Sequence, residues 1–212
     1  MIRVALADDH PVVRQGIRQI LEDRGDVRVV AEAGSAEEIL TRLAEVRADV
    51  VLLDIQMPGP GILELLRQLR AAHPETRVLV VSMHAEEQYA TRVLKAGAAG
   101  YVTKDRSPEE LLAAIRTAYT GGVYVSPDQA ARLARALTPG AERDPHESLS
   151  DREFEVLKRL GAGETVKEIG ARLDLSPKTV STYRARILAK LGLETNADLV
   201  RYLVEHGLDA KP

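Results

Sequence analysis

The chain has 212 residues, 45% hydrophobic and 29% charged, which suits one large or two small globular domains and excludes a disordered chain. With no cysteine there is no disulfide framework, no thiolate nucleophile and no cysteine zinc site. The net charge is −3, aromatics are only 3%, and no apolar run approaches the roughly 20 residues of a membrane span. The expectation is therefore a cytoplasmic protein with no membrane partner and no base-stacking platform for single strands.

The first 120 residues alternate short apolar runs with longer helical patterns. Strands are predicted at Arg3–Ala7, Val27–Ala33, Val50–Leu53, Val78–Ser82 and Ala99–Thr103. These runs are too continuous for a sheet with one wet face, as expected of parallel strands covered on both sides. Helices are predicted at Pro11–Glu22, Ala36–Arg47, Leu63–Ala72, Glu86–Ala96 and Pro108–Thr120. Five such alternations predict an α/β domain, a doubly wound five-stranded parallel sheet, over residues 1–121. Ser35-Ala-Glu-Glu38, Ser107-Pro-Glu-Glu110 and Ser126-Pro-Asp-Gln129 fit the S-x-x-[E/Q] pattern of a helix start. An amphipathic helix follows from Pro127 to about Leu137, then the polar stretch Thr138–Ser148, so residues 122–148 read as connecting helix and linker.

From Leu149 the pattern is helical throughout. Starts recur at Ser150-x-x-Glu153, Thr165-x-x-Glu168 and Ser176-Pro177. The apolar stripes are Phe154/Leu157/Leu160, Val166/Ile169/Leu173, Val180/Ile187/Leu191 and Leu199/Leu203. Four short helices over residues 149–212 predict a small all-α domain, since none is long enough to stand alone. This segment carries 11 Lys/Arg against 10 Asp/Glu, and Ser176–Lys190 holds four basic residues and no acid.

In a doubly wound sheet, functional groups gather outside the carboxyl ends of the strands. The first strand runs into Asp8-Asp9, the third into Asp54, the fourth ends in Ser82, and the fifth is followed by Lys104. Three carboxylates on one rim repel one another, and a hard divalent cation such as Mg²⁺ relieves this. A carboxylate beside such a cation can attack a phosphoryl group, with the cation and a lysine neutralising the transferred oxygens. Each residue alone has a plainer reading: a lone Asp after a strand is most often a turn residue or helix cap, and a lone Lys is a surface charge. The combination at four strand ends favours the phosphoryl site. His10 and His84 flank the rim and are read as bystanders, because the histidines lack metal-ligand spacing.

The stretch Glu168–Gly192 reads as helix, short turn, helix. Ser176 caps and Pro177 opens the second helix. With Val180, Ile187 and Leu191 facing inward, Lys178, Ser181, Thr182 and Ala185 face outward, with Thr179, Arg184, Arg186 and Lys190 around them. Such a helix can enter a major groove while its cations, and Lys167 on the preceding helix, hold phosphates. A solvated charged face of a small bundle is the alternative.

The fragments "ALADDHPVVRQGI", "VVLLDIQMPG", "VLVVSMH" and "KAGAAGYVTKD" resemble the receiver domain of bacterial response regulators, and "LSDREFEVLKRLGAGETVKEIGARLDLSPKTVSTYRARILAKLGLETNADLV" resembles the LuxR-type four-helix DNA-binding domain. Together they resemble a NarL/FixJ-type two-component response regulator. The resemblance implies a flavodoxin-like receiver at 1–121 and a helix-turn-helix domain at 149–212. It implies that Asp54 accepts phosphate from a sensor histidine kinase. Mg²⁺ would be held by Asp8, Asp9, Asp54 and the Gln56 backbone carbonyl. Ser82 and Lys104 would contact the phosphoryl group, and Tyr101 would reorient with Ser82. It further implies a homodimer on promoter double-stranded DNA, with Leu199 and Leu203 of the last helix as dimer contact and RNA polymerase as a further partner. An enzyme such as a haloacid-dehalogenase-like phosphatase would need a second Asp where Gln56 stands. A phosphorylation-independent regulator with a vestigial pocket is the remaining alternative, kept open by Pro60-Gly61-Ile62, which replaces the family's usual Met-Asp-Gly or Met-Asn-Gly. Gly170 also departs from the usual alanine.

Overall fold

The computed structural model describes all residues except 24, 56, 59–60, 83–86, 127–129, 132–143 and 209–212. Contacts divide the chain into two compact units, Met1–Leu133 and Ala134–Pro212.

The first unit runs β1 (Ile2–Ala7), α1 (Pro11–Glu22), β2 (Val27–Ala33), α2 (Ala36–Glu45), β3 (Val50–Asp54), α3 (Ile62–Ala72), β4 (Arg77–Ser82), α4 (Glu87–Lys95), β5 (Gly100–Thr103) and α5 (Pro108–Tyr119). The sheet is wholly parallel in the order β2-β1-β3-β4-β5. Every residue of β3 is buried, which is why its sequence shows no alternation. One core cluster gathers Val4, Leu6, Leu52, Leu79 and Val81 from the strands with Leu112 and Ile115 from α5. The order reverses direction at β1, so the ends of β1 and β3 lie side by side.

Boundaries moved for local reasons. The second predicted helix stops at Glu45 because Val46 is extended (φ −128°, ψ 130°). The third starts at Ile62, since Gly61 before it has φ +89°, a conformation that favours glycine. Gly100 is set by a close approach. Tyr124 runs beside β5, donating its N–H to the Ala99 carbonyl at 2.8 Å, and a Cβ on Gly100 would lie 2.6 Å from the Tyr124 carbonyl oxygen. That bridge covers part of the outer edge of β5. The predicted helix from Pro127 to Leu137 falls mostly outside the described residues.

The second unit contains a 3-10 turn (Pro145–Ser148), α6 (Asp151–Gly161), α7 (Val166–Leu173), α8 (Pro177–Leu191) and α9 (Asn196–Glu205). Ser150/Glu153 and Thr165/Glu168 form full capping boxes, as expected, and Thr195/Asp198 adds one the S-x-x-[E/Q] pattern does not include. The end of the polar stretch Thr138–Ser148 differs from a simple linker. His146 is buried at 1% exposure, and its Nδ1 lies 2.9 Å from the Tyr202 hydroxyl. Gly170 answers to the turn between α7 and α8: a Cβ there would lie 2.6 Å from the Leu175 carbonyl oxygen. Backbone of the turn is the close neighbour.

Candidate functional site

Strand register builds the first site. Ala7 pairs with Leu53, Asp54 with Val81, and Ser82 with Thr103. Asp8, Asp54, Ser82 and Lys104 therefore reach the same rim, at or one residue beyond the ends of their strands. Asp8, Asp54, Ser82 and Thr103 are all buried. The Lys104 ammonium lies 2.6 Å from Asp8 Oδ2 and 3.2 Å from Asp54 Oδ1, with its side chain 6% exposed. Its backbone N–H donates to the Ser82 carbonyl at 2.7 Å, which ties the end of β5 to the end of β4.

Asp8 is bonded from several sides. The His10 backbone N–H donates to its Oδ1 at 2.8 Å, and an Arg14 guanidinium N–H donates to its carbonyl at 2.6 Å. Arg14 also meets Glu32 of β2. Asp9 differs: its Oδ1 is buried and accepts no hydrogen bond, although the His10 Nδ1 stands 2.7 Å away. The close imidazole therefore meets that oxygen outside hydrogen-bonding geometry. Burial raises the Asp54 carboxyl above its ordinary range, and the negative charges of Asp8 and Asp9 add to this while Lys104 opposes it. Asp8, Asp9, His10 and Asp54 offer ligand atoms that all lie within 4.8 Å of one another. A buried acidic oxygen without a donor, in a cluster of oxygen ligands, fits a divalent cation.

His10 thus belongs to the cluster and is no bystander. As N-cap of α1 it makes no side-chain cap bond, turning instead toward Asp9. Arg14, bonded to the Asp8 carbonyl, is a further neighbour that the sequence reading missed. Arg14 looks like any helix cation, and only the fold brings it under the Asp8 carbonyl. Gln56, Pro60 and His84 lie outside the described residues. Tyr101 is fully buried, at 1% exposure.

The second site is the outer face of α8. Lys178, Ser181, Thr182, Ala185 and Arg186 are exposed, as is Lys167 on α7, while Thr179 and Arg184 are half-buried. The Ser181 and Thr182 hydroxyls donate back to the Pro177 and Lys178 carbonyls at 3.0 Å each, leaving their acceptor lone pairs outward. Thr179 Oγ1 lies 2.7 Å from Ser176 Oγ at the helix start. Lys190 is otherwise engaged: its ammonium donates to the buried Glu153 carboxylate of α6 at 2.7 Å and lies 3.4 Å from the Ser148 carbonyl. It holds the C-terminal end of α8 to the bundle. Leu199 and Leu203, expected at a dimer contact, are 0% and 1% exposed and pack within the unit. They occupy the inward stripe of α9; its exposed apolar residues are Val200 and Val204.

A carboxylate pocket at the switch point of a parallel sheet, followed by a helix-turn-helix bundle with an outward basic helix, defines a class: regulators that link phosphorylation to DNA binding. Comparison with known proteins agrees. Residues 4–116 match the response regulator receiver domain, and residues 147–203 match the luxR family of bacterial regulatory proteins. Response regulator GacA of Pseudomonas viridiflava is 42% identical over 209 residues, 98% of each chain. Response regulator UvrY of Escherichia coli K12 is 39% identical over 209 residues, 98% of this chain and 96% of that one. Among solved structures, RcsB of Salmonella typhimurium superposes with TM-score 0.77 at 29% identity, covering 99% of this chain and 98% of that one. RcsB bound to promoter rprA in the presence of the phosphomimetic BeF₃⁻ gives TM-score 0.72 at 30% identity, covering 96% and 98%. The chain belongs to the two-component response regulators with a LuxR-type DNA-binding domain. Among the described residues no helix is long and apolar enough to cross a membrane.

Proposed function

We propose that Asp54 accepts a phosphoryl group from a sensor histidine kinase and that the product switches binding of promoter DNA by α8. The observation that carries this reading is the buried Lys104 ammonium, held between Asp8 and Asp54 at the strand ends. An Asp54 oxygen attacks phosphorus, the P–N bond to the donor imidazole breaks, and its electron pair leaves with the imidazole, which takes up a proton. Lys104 is placed to neutralise the transferred oxygens, and the Ser82 hydroxyl to donate to one of them. Mg²⁺ is the cation we assign to Asp8, Asp9, Asp54 and the Gln56 carbonyl, where it would supply positive charge against carboxylates and phosphoryl oxygens. The uncapped Asp9 Oδ1 supports that assignment.

Tyr101, two residues before Thr103 on β5, is assigned the reorientation that accompanies Ser82. The added charge biases the receiver between two states, favouring a homodimer whose two α8 helices read half-sites about one helical turn apart. We place the dimer contact of α9 at Val200 and Val204, because they are its exposed apolar residues. Lys167, Lys178, Thr179, Ser181, Thr182, Arg184 and Arg186 form the DNA face. The RcsB structure with promoter DNA and a phosphomimetic supports the carry-over. Incubation with Mg²⁺ and a small phosphodonor should add one phosphoryl group by mass spectrometry and increase dimer in sedimentation. Asp54→Asn should do neither, and an unmodified wild-type protein would refute the proposal.

A further inference from the structure

The basic residues of α8 differ in what holds them. The side chains of Lys178 and Arg186 make no hydrogen bond or ion pair among the described residues, and the Lys190 ammonium is bound to Glu153. Arg184 is half-buried, and its Nε donates to the Asn196 Oδ1 at 2.6 Å. Asn196 is the first residue of α9, fixed in place by the Thr195 capping box.

The partner's chemistry is what distinguishes this contact. Four other described arginines of the unit meet carboxylates: Arg152 with Glu155, Arg159 and Arg172 with Glu164, and Arg201 with Asp198. A carboxylate orders a guanidinium and also cancels its charge. A neutral amide orders it and leaves the charge whole. The bond also uses Nε, so the two terminal nitrogens, the edge that suits bidentate phosphate binding, stay available. Asp198, the acid of the first turn of α9, is taken by Thr195 and Arg201 and does not compete for Arg184. Arginine loses much rotamer freedom when it grips a phosphate, and ordering it beforehand moves that cost out of the binding step.

We propose that Asn196 is a positioning residue for DNA binding, holding Arg184 charged and oriented toward a backbone phosphate. This rests on the reading of α8 as the DNA-contacting helix, and the test separates the two. Full-length wild type, Asn196→Ala, Asn196→Asp, Arg184→Ala and the double Ala variant are titrated onto a random-sequence duplex of about 20 base pairs at several salt concentrations, by fluorescence anisotropy. Thermal melts confirm that each variant is folded. Arg184→Ala should weaken binding several-fold and lower the salt slope by about one. Asn196→Ala should weaken it about three- to ten-fold in the wild type and not at all in the Arg184→Ala background, as a shared pathway requires. Asn196→Asp should be weaker still, because it keeps the geometry and neutralises the guanidinium. Wild-type affinity for Asn196→Ala, or an equal loss in both backgrounds, overturns the proposal while leaving α8 as the DNA helix. Wild-type affinity for Arg184→Ala overturns the contact assignment, and the positioning role with it.

Discussion

Glu153→Gln isolates the ion pair that seats α8. Glu153 Oε2 accepts from the Ser150 N–H and from the Lys190 ammonium, each at 2.7 Å, and its side chain is 4% exposed. Glutamine keeps an amide oxygen for Ser150, so the cap survives and only the charged bond is lost. Such bonds contribute about 1.5–3 kcal/mol. The lysine side chain is 41% exposed and can rehydrate its head, which discounts the loss to about 1–2 kcal/mol. For a domain of this size that is a fall in melting temperature of roughly 4–15 °C in the calorimetric transition of the second unit. The pH dependence carries a sign. Burial pushes the Glu153 carboxyl up, but Lys190 and Ser150 outweigh it and hold the group below its ordinary range. A depressed carboxyl stabilises above its unfolded pKa and loses that contribution as pH falls through the folded value. The gap between wild type and variant should therefore close in acid. Equal stability at pH 7, or a gap that widens on acidification, would refute the pairing as the source of stability.

Asp54→Asn should stabilise the first unit by about 1–2 kcal/mol while abolishing phosphorylation, because a buried carboxylate among like charges is replaced by a neutral group; an unchanged or lower melting temperature would count against this. Since the Asp54 carboxyl is raised, its contribution to stability is full below the unfolded pKa and is lost as pH rises through the folded one, so the variant's advantage should be absent in acid and grow as pH rises toward neutral. Gly61→Ala should cost about 1–3 kcal/mol, read by urea unfolding, because φ +89° and ψ 153° lie outside the alanine regions. Gly100→Ala should speed hydrogen exchange at the Tyr124 amide and cost about 1–3 kcal/mol, since the new Cβ must displace the Tyr124 carbonyl; unchanged exchange would deny the close approach.

The sheet was readable because β3 and β4 are buried on both faces, and the local signal for that is a continuous apolar run. The helix starts were readable because a capping box is written in four consecutive residues. The rim residues were readable for a related reason: each ends or directly follows a strand, so sequence position alone places it. What stayed hidden depends on contacts far apart in the chain. Lys190 and Glu153 are 37 residues apart, and nothing near Lys190 distinguishes it from Arg186. Leu199 and Leu203 read in the sequence both as an apolar stripe and, by resemblance, as a dimer contact; spacing alone does not separate the two, and their burial places them in the packing of the unit. Arg14 lies 18 residues from Glu32, and only the pairing of β1 with β2 brings the two together.

The Pro60-Gly61-Ile62 departure looks different once the helix start is known. The family pattern puts its glycine where Ile62 stands; here the glycine comes one residue earlier, as N-cap of α3 with positive φ. Ile62, the first helical residue, is 3% exposed, so it closes the helix start against the core. The exchange relocates the flexible backbone position and adds a buried apolar anchor beside it. Asp8, Asp9, Asp54 and Lys104 all stand together at the rim. A substitution that degraded the pocket would be expected to disturb its charges, yet Lys104 still bridges Asp8 and Asp54. Where it is described, at Gly61 and Ile62, the departure shapes the start of α3 and leaves the carboxylates at the strand ends.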